Sequence, residues 1–250
     1  MYNDVIDLKR FYDSNLGQIA RRLIRRKIRT IWPDVSGMSV MGLGYATPYL
    51  RPFYSEADRV FALMPAQQGA SHWPKEGFNL TVLSEDIELP LQNSSIDRIL
   101  MVHSVECTEH LRSMLDEVWR VMTSNGRLLV VVPNRRGLWS RFERTPFGHG
   151  QPYSTSQLSR MLKNNMFISN QIARALFVPP YHWRVIVRSA YGLEDLGSQW
   201  LNHLGGVVMI EASKQIYAPS KIKPVRNRGR RLMPSAVARV SALQKGSIQR

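Results

Sequence analysis

Four short stretches of this sequence hold residues whose types and spacing suit a binding or reacting site. Met41-Gly42-Leu43-Gly44-Tyr45-Ala46-Thr47-Pro48 follows an apolar run, and Gly42 and Gly44 can let backbone approach a ligand closely. Glu85-Asp86 follows a later run and offers two carboxylates as hydrogen-bond acceptors. His103-Ser104 closes another run, with Glu106 and Cys107 just beyond, read as a turn acid and a small turn residue. The fourth stretch, Asn134 to Tyr153, holds Arg135, Arg136, Trp139, Phe147, His149 and Tyr153. Its arginines can hold an anionic group, and its aromatics can form an apolar wall. His149, flanked by two glycines, can act through its neutral imidazole as a general base. The competing reading is a Gly/Pro loop that packs its aromatics on the body. His72, His110, His182 and His203 are scattered without the spacing of a metal site.

Strands and helices in alternation position these stretches. Apolar runs of strand length lie at Met38–Leu43, Arg59–Met64, Asn79–Leu83, Ile96–Val102 and Arg127–Val132. Their near-continuous apolar character suits parallel strands covered on both faces. Leu111, Met114, Leu115, Val118, Trp119 and Met122 recur at helical spacing, with a stop expected at Ser124-Asn125-Gly126. Thr155 to Asn164 reads as a helix capped by Ser154 or Thr155. Val207 to Tyr217 reads as a last strand, wetter on one face and near a sheet edge. The expected fold is α/β: a doubly wound, mostly parallel sheet with an N-terminal helical extension.

In such a sheet the ligand sits outside the carboxyl ends of the strands. The segment Val40 to Thr47 resembles the first motif of class I S-adenosylmethionine-dependent methyltransferases. Glu85-Asp86-Ile87-Glu88-Leu89-Pro90-Leu91 is similar to the family's segment after strand three. Ser95-Ile96-Asp97-Arg98-Ile99-Leu100 is similar to its strand four. Leu115 to Met122 with Asn125-Gly126-Arg127-Leu128-Leu129 resembles its helix and entry to strand five. The resemblance implies a seven-stranded Rossmann-like sheet and S-adenosyl-L-methionine as cofactor, held by Gly42, Gly44, Tyr45, Ala46, Met64, Glu85, Asp86, His103 and Ser104. It implies methyl transfer to an unidentified acceptor, by positioning and without a metal, with His149 as the candidate catalytic group.

Three departures bear on that implication. The family usually has an acid where Gly42 stands, and glycines where Ala46 and Pro48 stand. It also has an acid at the end of strand two for the ribose hydroxyls, where this chain has Ala62-Leu63-Met64-Pro65. The alternative function is therefore a catalytically inactive methyltransferase-like protein that binds RNA or an anionic membrane surface.

The charge distribution suggests what the protein approaches. The net charge is +15, of which nine Lys/Arg and no acid fall within 219–250, an expected extended basic tail. Arg21, Arg22, Arg25, Arg26, Lys27 and Arg29 crowd Gln18 to Trp32, again with no acid. The arginines there share one arc of an amphipathic helix, opposite Leu16, Ala20, Ile24, Ile28 and Ile31. Arg21–Arg29 and the tail are candidate contacts for nucleic acid or an anionic membrane, against the alternative of a solvated helix face and a solubilising tail. The expected organisation is a helical extension over 1–34, an α/β domain over 35–218 and the tail over 219–250. One cysteine, no long apolar run and no N-terminal apolar core after the first charges point to a cytoplasmic protein.

Overall fold

Period-2 and near-continuous apolar runs become the strands β1 (Ser39–Gly44), β2 (Arg59–Pro65), β3 (Thr81–Ser84), β4 (Ile96–Val102), β5 (Met122–Pro133), β6 (Phe167–Ala175) and β7 (Val207–Lys214). The computed structural model describes residues 3–180, 194 and 204–216; the segment 219–250, His182 and His203 lie outside them. The seven strands form one sheet in the order β3-β2-β1-β4-β5-β7-β6. The first five pair in parallel, and β7 runs antiparallel between β5 and β6. Strand order reverses between β1 and β4, the switch point where such sheets place a ligand crevice; here the carboxyl ends of those strands are covered by buried side chains, Tyr12 and His103 among them.

Five helices are described: α1 (Val5–Asp13), α2 (Asn15–Ile31), α3 (Thr47–Leu50), α4 (Leu111–Val121) and α5 (Thr155–Asn164). Alternate residues of each strand feed two cores, one on each face of the sheet. Val40, Val102, Leu129, Val131, Val207 and Met209 pack under α2, whose Leu16, Ala20, Ile24 and Ile28 are buried. Met41, Leu43, Ile99, Met101, Leu128 and Val130 pack under α4 and α5 through Met114, Leu115, Val118, Leu158 and Leu162. The apolar stripe of α2 is consumed by the core; on its basic arc Arg22 and Arg26 are exposed and Arg21, Arg25 and Arg29 half-buried. On that arc Arg29 is committed: it pairs with Glu56 at 2.8 Å, donates to the Pro33 carbonyl and lies over the Phe53 ring.

One residue shapes the joint between α1 and α2. The Ser14 hydroxyl donates to the Phe11 carbonyl at 2.6 Å and accepts from the Gly17 amide at 3.1 Å, ending one helix and capping the next. A side chain at Gly17 would overlap the Phe11 carbonyl, so the two helices meet this closely only with glycine there. The result carries α1 back across the carboxyl edge of the sheet. Val5 N–H donates to the Gln68 carbonyl at 2.9 Å, in the loop after β2.

Two elements differ from the sequence expectation. Helix α4 stops at Val121, three residues before the expected Ser124 stop, because Met122 already pairs with Ile96 of β4 in extended backbone. Residues 123–126 then bulge before the ladder resumes at Arg98 and Arg127. Strand β6, the seventh of the expected sheet, was not located in the sequence. Its pairing with β7 shifts register between Ser169 and Gln171, and it lies at the sheet edge, half wet. That shift breaks the alternation by which a strand is recognised in sequence. The helix Thr155–Asn164 and its Ser154 cap are as expected, completed by the Gln157 side chain in a capping box.

Candidate functional site

The first expected ligand turn is built around Gly44, which ends β1 with φ +81°. A side chain there would strike the Val102 carbonyl and the Ser104 side chain, so glycine lets the ends of β1 and β4 close on each other. Gly42 has a different task. A side chain on it would meet Ala46 and Leu50, so it seats α3 against the sheet. Tyr45 and Ala46 are buried, as is Met64 at the end of β2.

Immediately after β4, His103 sits at φ +52°, in the left-handed region that a non-glycine residue occupies only when its surroundings impose it. Its ring is fully buried. Nε2 lies 2.8 Å from the Tyr12 hydroxyl, which is also 2.8 Å from the Tyr49 hydroxyl. Nδ1 lies 3.3 Å from Glu106 Oε1, close enough for an ion pair but without hydrogen-bond alignment. The carboxylate on that side favours the proton on Nδ1, leaving Nε2 to accept from Tyr12. Burial pushes the Tyr12 hydroxyl well above its ordinary value and raises Tyr49 too, so both are neutral. Burial, with the Asp13 charge behind it, pushes Tyr45 up to about 12.

Tyr12 closes the crevice from α1. Its ring stacks on Tyr45 with centroids 5.6 Å apart and meets His103 edge-on at 5.9 Å. Beside it lie buried polar atoms without hydrogen-bond partners: Gln68 Oε1, His103 Nδ1, Ser104 Oγ and both Glu106 carboxylate oxygens. Gln68 is tied to His103 by its other amide atom, Nε2, at 3.0 Å from the His103 carbonyl. Native interiors leave few polar atoms unpaired, so this concentration is unusual for a closed core.

The acidic pair after β3 is divided. Asp86 is buried and accepts from Thr108 Oγ1 at 2.8 Å, whereas Glu85 is exposed. Cys107 is buried, and its thiol is pushed up by desolvation and by the nearby Glu106 charge.

The long loop after β5 packs its aromatics on the body. Trp139 and Phe147 are buried and meet edge-on at 5.6 Å, and the Trp139 indole donates to the Val178 carbonyl at 2.7 Å. Phe147 continues onto His103 with centroids 5.0 Å apart. Tyr153 is buried among the residues under α5, and Arg135 and Arg136 are exposed. The residues between those aromatics do form a wall. Arg141, Phe142, Arg144, Pro146 and His149 face Phe11 and Leu16 across a groove of about 850 Å³. His149 is exposed on this groove. The structure thus brings Gly44, Tyr45, His103 and Ser104 together in the crevice and puts His149 in the neighbouring groove. Phe11, Tyr12 and Phe147 form the partition.

Tyr12, Gln68 and Glu106 are the site residues that sequence reasoning missed. For Tyr12 a signal existed: Leu8, Tyr12, Leu16, Ala20, Ile24 and Ile28 continue one four-residue spacing through both helices. Gln68 and Glu106 carry no such signal, because burial of a lone polar residue in a loop has no periodicity.

The parallel order, the antiparallel β7 and the crevice at β1 and β4 together define a Rossmann-like methyltransferase fold. Similar solved structures share it. An S-adenosylmethionine-dependent methyltransferase from Thermotoga maritima matches at 16% identity and TM-score 0.63, over 84% of this chain and 95% of its own. One from Archaeoglobus fulgidus matches at 20% identity and TM-score 0.56, over 82% and 97%. One from Mesorhizobium loti matches at 12% and 0.54, over 76% and 96%. Residues 40–130 match the methyltransferase domain family Methyltransf_11. Over residues 40–130 the chain is thus similar to this methyltransferase domain family, and it shares the fold of these S-adenosylmethionine-dependent methyltransferases. No curated protein matches its sequence significantly. Among the described residues no helix is long and apolar enough to cross a membrane, and no group of three or more His, Cys, Asp or Glu is placed to hold a metal ion.

Proposed function

We propose that this chain binds S-adenosyl-L-methionine in the crevice beyond β1 and β4 and transfers its methyl group to an acceptor that enters from the adjoining groove. The observation that carries this reading is the set of buried, unpartnered polar atoms beside the Gly44 turn. They supply donors from Ser104 and His103 and acceptors from Glu106 and Gln68, a set that suits a ligand with both an amino-acid zwitterion and sugar hydroxyls. When bound, the sulfonium group supplies an electrophilic methyl whose transfer needs an in-line nucleophile and little else.

The chain's residues then have separable tasks. Gly44 lets the ends of β1 and β4 close beside the ligand, and Tyr45 and Tyr12 give a flat apolar cover. Asp86, held by Thr108, presents a carboxylate at the adenine end that the family resemblance implies. Phe11 and Phe147 keep water from the crevice and must shift for an acceptor to reach it. In the groove, Arg141 and Arg144 favour an anionic acceptor, and His149 is placed to take a proton from it.

Titration calorimetry of the full chain with S-adenosylmethionine tests this reading. Saturable binding at micromolar to low-millimolar ligand is expected. No heat of binding at millimolar ligand would sink it.

A further inference from the structure

We infer that Glu106 and Gln68 together grip the cofactor's hydroxyl or ammonium donors, in place of the carboxylate that the end of β2 lacks. The inference rests on reading the crevice as the cofactor site. Strand β2 ends in Met64-Pro65, and Met64 is wholly committed to the core under α2. No acceptor side chain is therefore available at the usual place. Gln68, in the loop just after β2, is 1% exposed, and its Nε2 donates to the His103 carbonyl at 3.0 Å. That bond fixes the amide plane and leaves Oε1 buried with nothing to accept from.

Glu106 approaches from the other side, on the loop after β4. Its side chain is 1% exposed. Its backbone carbonyl accepts from the Gln151 amide at 2.8 Å, and Gly150 packs so closely on it that any side chain there would overlap. The residue is clamped, so its carboxylate is not free to swing into water. Its Oε1 has only the misaligned His103 Nδ1 at 3.3 Å, and its Oε2 has no partner. Among the described residues no lysine or arginine pairs with it. A structural glutamate at this depth would normally be fully hydrogen-bonded or ion-paired. A clamped acid and a fixed amide, both short of donors and both touching His103, fit a ligand that brings donors with it. A vicinal diol or an ammonium group is the matching chemistry.

S-Adenosylhomocysteine, titrated calorimetrically into the full chain, tests this with the variants Glu106→Gln, Gln68→Met and, as a surface control, Glu76→Gln. Glu106→Gln is expected to raise Kd at least tenfold and Gln68→Met several-fold, with the control unchanged. The ligand-free melting temperature of Glu106→Gln should hold or rise, because an unpaired buried charge is removed, while its ligand-induced rise shrinks. A merely structural glutamate would give the opposite pair: a lower ligand-free melting temperature and an unaltered Kd. Unchanged affinity in both Glu106→Gln and Gln68→Met overturns the inference while leaving the cofactor reading intact. No binding by the unaltered chain overturns both. If Glu106→Gln does not fold, Gln68→Met decides by the same criterion.

Discussion

Replacing Tyr12 by phenylalanine removes one oxygen atom and tests how the crevice is closed. That oxygen makes two buried contacts of 2.8 Å, to Tyr49 Oη and His103 Nε2. The ring itself and its stacking on Tyr45 remain, so the change isolates the hydrogen bonds. Leaving a buried partner unsatisfied costs about 1–3 kcal/mol for each group. Two orphaned partners that share one site should cost about 2–4 kcal/mol together, allowing for incomplete additivity. In a domain of this size that corresponds to a fall in Tm of roughly 5–12 °C. Tyr49→Phe loses only the bond to Tyr12 and should cost about 1 kcal/mol. The double variant should be more stable than Tyr12→Phe alone, because it also removes the orphaned Tyr49 hydroxyl. Urea denaturation of the three variants, with equal m-values, measures this cycle. A Tyr12→Phe stability within about 0.5 kcal/mol of the unaltered chain would refute the buried relay and its role in holding α1 down.

Further consequences can be measured separately. Gly44→Ala forces a side chain into a left-handed conformation and against the Val102 carbonyl, so it should destabilise by about 2–4 kcal/mol in the same denaturation assay. His149→Ala should lower turnover while the urea midpoint stays put, since its side chain is exposed; an unchanged rate removes His149 from the chemistry. The hydrogen bond from Arg120 holds the Glu117 carboxyl below its ordinary value. Its contribution is thus complete above the ordinary carboxylate range and is lost as pH falls through the depressed value. The stability gap between the unaltered chain and Glu117→Gln should therefore be full at neutral pH and shrink as pH falls below the ordinary carboxylate range; a gap independent of pH would contradict the pairing. Trp32→Phe loses the indole bond to Glu211 Oε1 at 2.9 Å and should cost about 1–2 kcal/mol by thermal melting.

The parallel half of the sheet was legible because strands buried on both faces keep an apolar run whatever their register. Ile96–Val102 is found where the run stands. The basic helix was equally legible, since Leu16, Ala20, Ile24 and Ile28 mark one face at helical spacing. What could not be read depended on contacts far apart in sequence. The end of α4 was decided by the pairing of Met122 with Ile96, and β6 was obscured by its shifted register. At the site, the Gly44 turn and His103 were found by their positions after strands. Within the helical extension expected over 1–34, α1 was not read as a separate helix, because only Leu8 and Tyr12 of its residues are buried. Nor could the sequence show that Trp139 and Phe147 would turn inward, leaving Arg141 and His149 to face the groove.

The central claim is that the cofactor lies beyond β1 and β4, and photolabelling tests it most directly. Ultraviolet crosslinking of methyl-labelled S-adenosylmethionine to the full chain, followed by peptide mapping, should place the label within residues 42–50 or 101–108, and excess S-adenosylhomocysteine should abolish it. Label confined to peptides outside these two segments, or insensitive to the competitor, would contradict the account.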